Sequence, residues 1–157
     1  PVEGGFKMGK TQLWLCALLT WAVMFGASYV PLDQIFPFRL YYYLAALWVL
    51  GVGGVTLGIV CPADARTTIK RVILFPPACL LGVLAALRVW FDLSMAVEHW
   101  HHPARWKFRW VPVGWAVFDF LELLSVVGAY LLAVVIAEVT QRRLRPLVCA
   151  IFTKKRP

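Results

Sequence analysis

Four long apolar runs set the strongest limit on how this chain can fold. They cover residues 13–30, 40–60, 72–97 and 111–139. A run of about 20 apolar residues is long enough to cross the hydrocarbon layer of a bilayer as a helix. Hydrocarbon cannot hydrogen-bond to open backbone groups, and the alternating pattern of a barrel strand is missing from these runs. The sequence therefore predicts an all-α polytopic membrane protein, a bundle of four transmembrane helices with short loops.

The composition supports the same fold class. Of the 157 residues, 61% are hydrophobic and 15% are charged, whereas a soluble domain has about half apolar and about a quarter charged residues. This apolar excess is larger than a core of this size can hide. The length fits a single membrane domain over residues 1–157, which ends in a basic tail from 140 to 157.

The positions of the basic residues predict the orientation of the bundle. With four spans, the N-terminus, the 61–71 loop and the C-terminus share one side, which carries eleven of the 16 lysines and arginines. Because basic residues concentrate in cytosolic loops, both termini are predicted to face the cytosol. The net charge of +8 mainly reflects this bias and favours membrane lipids as partners. Nucleic acid is not expected to bind, since no binding module is visible.

Charged side chains inside the third and fourth runs are the sharpest functional feature of the sequence. Arg88 and Asp92 lie one helical turn apart in the third run, and Asp119 and Glu122 share a helix face in the fourth. If these two spans form an antiparallel hairpin, a rise of about 1.5 Å per residue places Arg88 at a depth between those of the two acids. The sequence therefore predicts an intramembrane polar cluster of all four side chains.

Two interpretations of this cluster stay open. A charge near the middle of a bilayer costs about 2.5 to 3.5 kcal/mol, so such groups face the protein interior and pair with one another. The cluster is therefore either an ion-paired staple that fixes the hairpin, or a polar site for a lipid headgroup, a proton or a partner helix. Three acids against one base leave a formal excess of negative charge.

Glycines in the second span predict close helix packing. Gly54 and Gly58 have the G-x-x-x-G spacing, which lets two helix backbones approach, and Gly51 lies one turn before them. The neighbouring helix belongs either to this chain or to a partner protein. In the third span, Pro76 and Pro77 are expected to kink or break the helix near its cytosolic start.

The sequence contains no recognisable catalytic or metal-binding motif. His99, His101 and His102 lack the spacing of a metal-binding motif, and the four cysteines form no C-x-x-C pair. We therefore expect no cofactor and no metal. Near the end of the sequence, Lys154 and Lys155 have the spacing of a dilysine retrieval signal, which predicts an endoplasmic reticulum membrane protein.

No family is assigned from the sequence. In the pieces KTQLWLCALL, YYYLAALW, TLGIV and PADA, residues 8–71 resemble the small two-span stabilising subunit of dolichol-phosphate mannose synthase. The second pair of spans has no counterpart in that subunit, and its coiled tail is missing here, so no functional residue is carried over.

The absence of catalytic motifs favours a non-catalytic accessory or stabilising subunit of a larger membrane complex. One alternative is a small membrane enzyme or carrier that acts on a lipid or a proton through the polar cluster. Another is a processed viral membrane protein, which is suggested only by a first residue other than Met and by the basic end of the sequence.

Overall fold

The computed structural model describes residues 9–30, 40–62, 65–102 and 110–153, and within these ranges the secondary structure is helical with no strand. The four helices are α1 (Lys10–Ser28), α2 (Leu40–Val60), α3 (Thr67–His101) and α4 (Trp110–Thr153). All four are long and apolar enough to cross a membrane. The predicted fold class is confirmed, and the chain is a multi-pass integral membrane protein.

The helix α4 is the centre of the bundle. It packs along both α2 and α3, whereas α1 packs mainly on α2. The buried residues are largely small or aliphatic and come from all four helices, with alanines such as Ala133 and Ala137 on α4. Because α3 and α4 pack against each other in opposite directions, their residues meet along one long antiparallel contact.

Large apolar side chains cover the outside of the bundle. Trp90 is 73% exposed, and Phe25 and Leu131 also point outward. No more than a third of the apolar stretch of each span is buried inside the protein. A soluble protein rarely exposes so much continuous apolar surface, but helices surrounded by lipid do.

Two glycines of α2 provide its close contact with α4. A Cβ atom on Gly54 would lie 2.5 Å from the carbonyl oxygen of Ala133, and one on Gly58 would lie 2.7 Å from that of Ala137. Only a residue without a side chain fits at either position. A Cβ atom on Gly51 would meet nothing within 4 Å. Gly54 and Gly58 therefore pack against α4 of the same chain. This contact favours packing within the chain over docking of a partner helix at these two residues.

The helix α3 continues through Pro76 and Pro77 without a break. Because Pro77 has no backbone N–H, the carbonyl of Ile73 loses its usual partner four residues along the helix. The indole Nε1 of Trp21 on α1 donates a hydrogen bond to that carbonyl at 2.8 Å. A side chain from a neighbouring helix thus satisfies the backbone group that the proline frees, which is how membrane helices tolerate proline.

The helix α4 extends well beyond the predicted end of the fourth span at residue 139. It continues through the basic segment and Pro146 to Thr153. Most of the predicted tail is therefore a helical extension of the span. At 1.5 Å per residue, α3 and α4 are about 52 and 66 Å long, so both extend beyond a hydrocarbon layer about 30 Å thick.

Candidate functional site

An ion pair joins α3 to α4 inside the apolar part of the bundle. The Nη1 atom of Arg88 lies 3.0 Å and 3.1 Å from the two carboxylate oxygens of Glu122. Arg88 is four residues from the middle of α3, which corresponds to about 6 Å along the helix axis. The antiparallel hairpin therefore brings together a base and an acid that are 34 residues apart in the sequence.

The two other acids of the predicted cluster, Asp92 and Asp119, are both buried. Asp92 lies one turn beyond Arg88 on α3, and Asp119 lies nearly one turn before Glu122 on α4. The two aspartates are therefore at similar heights, on the side of the ion pair that leads to the 102–110 connection. Arg88 and Glu122 are thus in direct contact across α3 and α4, and a buried aspartate lies about one turn from each of them on its own helix.

A cavity of about 170 Å³ opens beside the ion pair. Arg88 and Glu122 provide its charged lining, and small or aliphatic side chains such as Ala45, Ala46 and Leu84 provide the rest. The Arg88 side chain is 41% exposed, whereas that of Glu122 is only 12% exposed. The pair is thus open on its arginine side and closed on its glutamate side.

A second ion pair joins the same two helices at the other end of their contact. The Nζ atom of Lys70 lies 3.1 Å from Oε1 of Glu138, and the Lys70 side chain is only 1% exposed. The hydroxyl of Thr67 donates a hydrogen bond to the same carboxylate, and Nη2 of Arg142 lies 3.5 Å from its other oxygen. The amide of Gln141 donates to the carbonyl of Pro62, which ties the 61–66 connection to this network.

The sequence reasoning missed this second pair. By sequence, Lys70 is one of the eleven basic residues that predict the orientation, and Glu138 lies within the fourth apolar run. The depth comparison used for Arg88 would have found the pair, because residue numbers on two antiparallel helices run in opposite directions at a constant rise. Lys70 and Arg88 are about five turns apart on α3, so they project from the same face.

Both ion pairs have the base on α3 and the acid on α4. The two pairs together fix the register of the hairpin, because sliding one helix past the other by a turn would separate both of them. A buried charge without a partner is strongly unfavourable. The arrangement supports the staple interpretation of the charges on these two helices.

Replacing Lys70 by methionine is expected to lower the free energy of unfolding by about 2 kcal/mol. This loss is smaller than the loss expected when one member of a fully buried pair is removed, because Glu138 keeps Thr67 and Arg142 as partners. The matched control is Arg142→Met, which removes a side chain that is 81% exposed and is expected to change stability by no more than about 0.5 kcal/mol. Denaturant unfolding of both variants in mild detergent measures the difference. Equal effects of the two substitutions would contradict a structural role for the buried lysine.

The remaining predicted residues do not extend the site. Within the described ranges, no group of three His, Cys, Asp or Glu side chains could hold a metal ion. The imidazole Nδ1 of His99 lies 2.8 Å from the carbonyl oxygen of Met95 on its own helix. Lys154 and Lys155 lie outside the residues that the structure describes.

Comparisons with protein-family models, with curated proteins and with solved structures find no match to this chain. The resemblance of residues 8–71 to a subunit of dolichol-phosphate mannose synthase therefore carries no argument here. The functional interpretation rests on the geometry of the bundle alone.

Proposed function

We propose that this protein is a non-catalytic accessory subunit that stabilises a larger membrane complex. The observation that carries the proposal is the partly exposed side chain of Arg88, which lines a side cavity at the depth of the apolar spans. Lipid tails cannot solvate a charge, and placing one near the bilayer centre costs about 2.5 to 3.5 kcal/mol. A polar group from a neighbouring transmembrane helix would reduce this cost.

The use of the other charges supports a non-catalytic role. Lys70 and Glu138 are engaged with each other in a network within the chain. Glu122, which is the acid of the side cavity, is engaged by Arg88. In this arrangement both ion pairs hold α3 and α4 together, and the partly exposed Arg88 side chain faces outward within the apolar part of the bundle.

A photoreactive amino acid at Leu84 tests the proposal in native membranes. Leu84 is exposed and lines the cavity beside Arg88. Leu87 is also exposed on the same helix but does not line this cavity, so it provides the matched control. We expect light to link position 84 to one discrete protein in high yield, while position 87 is linked mainly to lipid.

The same experiment in the Arg88→Leu/Glu122→Leu background is expected to lose the protein crosslink at position 84. Lipid crosslinks of equal yield at both positions would contradict the proposal. Purification in mild detergent as a monomer, without a stoichiometric partner, would also contradict it.

A second candidate function is a carrier or enzyme that acts on a lipid or a proton through the polar cluster. The cavity of about 170 Å³ favours it, because both members of the ion pair are among its lining residues. Native mass spectrometry of the protein released from membranes tests the lipid version. A lipid adduct that disappears in the Arg88→Leu/Glu122→Leu variant would favour this candidate over the subunit.

We also propose that the complex belongs to the endoplasmic reticulum, with the basic end of the bundle in the cytosol. The proposal is supported by the distribution of basic residues and by the spacing of Lys154 and Lys155. Replacing both lysines by alanine is expected to move the protein from the reticulum to later secretory compartments. Microscopy with a compartment marker measures this change, and an unchanged distribution would argue against the retrieval signal.

A further inference from the structure

Two cysteines meet where α1 packs against the end of α2. Cys16 lies in the first half of α1, and Cys61 directly follows the last residue of α2. Both side chains are buried. The sulfur of Cys16 lies 3.7 Å from the carbonyl oxygen of Val60, the residue before Cys61, and the Cys16 thiol is one of the neighbours that act on the Cys61 thiol. The two thiols are therefore neighbours across a helix interface, although 45 residues separate them in the sequence.

The position of the two cysteines determines which helices a covalent bond between them would join. The helix α1 packs mainly on α2 and makes one hydrogen bond to α3, through Trp21. A covalent bond between Cys16 and Cys61 would fasten the first half of α1 to the end of α2, beside the Lys70–Glu138 network. Cys79, on α3, is exposed rather than buried.

We propose that Cys16 and Cys61 form a reversible disulfide that acts as a redox-sensitive latch between α1 and α2. This inference does not depend on the proposed subunit function. In the closing reaction the two thiols lose two protons and two electrons, and an S–S bond forms between their sulfurs. When the oxidant is hydrogen peroxide, it accepts the two electrons and the two protons. Its O–O bond breaks, and two water molecules are released. A small thiol reductant reverses the reaction by thiol–disulfide exchange.

The surroundings of the pair make the latch slow to close. Burial and the neighbouring Cys16 thiol raise the pKa of Cys61 to about 12. Lys70 on α3 and Arg145 on α4 act on it in the opposite direction but do not offset the burial. Because the thiolate is the reacting species, the latch resists brief oxidation and responds to sustained oxidation.

The experiment uses the full chain in native membranes, with Cys79→Ser and Cys149→Ser so that only the pair can react. The membranes are treated with hydrogen peroxide, and the protein is then denatured and alkylated with a maleimide. We expect a monomer that has lost two hydrogen atoms in mass and binds no maleimide, while the reduced sample binds two. The thermal unfolding temperature is expected to be higher in the oxidised sample than in the reduced one.

A matched control moves one thiol around α1. In the Cys16→Ser/Leu18→Cys variant the thiol lies two residues further along, on the exposed face of the helix. This variant is expected to keep both thiols open to maleimide and to show no rise in unfolding temperature. The proposal is overturned if the oxidised pair still binds two maleimides after denaturation, if it forms dimers instead, or if the control closes as readily.

Discussion

Replacing Arg88 by leucine is expected to lower the free energy of unfolding by about 3 to 5 kcal/mol. The Glu122 carboxylate lies 3.0 Å from the guanidinium and is largely buried, so the substitution leaves a charge in an apolar part of the bundle without its partner. The reverse substitution, Glu122→Leu, is expected to be similarly costly because it removes the carboxylate that lies 3.0 Å from the guanidinium. Unfolding by denaturant in mild detergent, followed by tryptophan fluorescence, measures both effects.

The double variant Arg88→Leu/Glu122→Leu is the control that isolates the ion pair. Replacing a buried ion pair by apolar residues of similar volume is often close to neutral, whereas removing one partner is not. We therefore expect the double variant to be more stable than either single variant. If the two single effects simply add in the double variant, the side chains do not act as a pair, and the staple interpretation of Arg88 and Glu122 is wrong.

Replacing Gly54 and Gly58 together by alanine is expected to cost about 2 kcal/mol or more, as overpacking of a tight contact does. The added methyl groups would lie 2.5 Å from the backbone oxygen of Ala133 and 2.7 Å from that of Ala137. Backbone atoms cannot move aside as a flexible side chain can, so α2 and α4 must separate. Thermal unfolding and gel filtration in detergent detect the loss.

The Gly51→Ala variant is the matched control on the same helix. Nothing lies within 4 Å of the added methyl group at this position, and alanine favours a helix over glycine by about 1 kcal/mol. We expect its stability to be unchanged or slightly increased. A loss at Gly51 equal to that of the double variant would show that the effect comes from something other than the contact with α4.

Much of the fold could be predicted because each transmembrane helix satisfies its own backbone within one segment of sequence. The apolar runs therefore located all four helices before any contact was known. Their ends were less predictable. The helix α3 begins five residues before the apolar run, and α4 continues fourteen residues beyond residue 139. Hydropathy detects the part of a helix that lies in lipid, whereas a helix can continue into water wherever its own hydrogen bonds persist.

The candidate site was only partly predictable. Depth along antiparallel spans indicated that Arg88 would lie near the acids of α4, but three carboxyl groups were available at similar depths. The rotation of each helix about its axis placed Arg88 on Glu122. Hydropathy does not record this rotation, because it averages over all faces of a helix.

The sequence by itself determined that this chain is an all-helical membrane protein with four spans, because apolar length and the need to satisfy backbone hydrogen bonds leave no other arrangement in lipid. Only the tertiary structure decided which side chains meet: Arg88 with Glu122, Lys70 with Glu138, and Cys16 with Cys61. These contacts join residues that are distant along the chain. They depend on helix rotation and register, which are set by the packing of small residues such as Gly54 against α4.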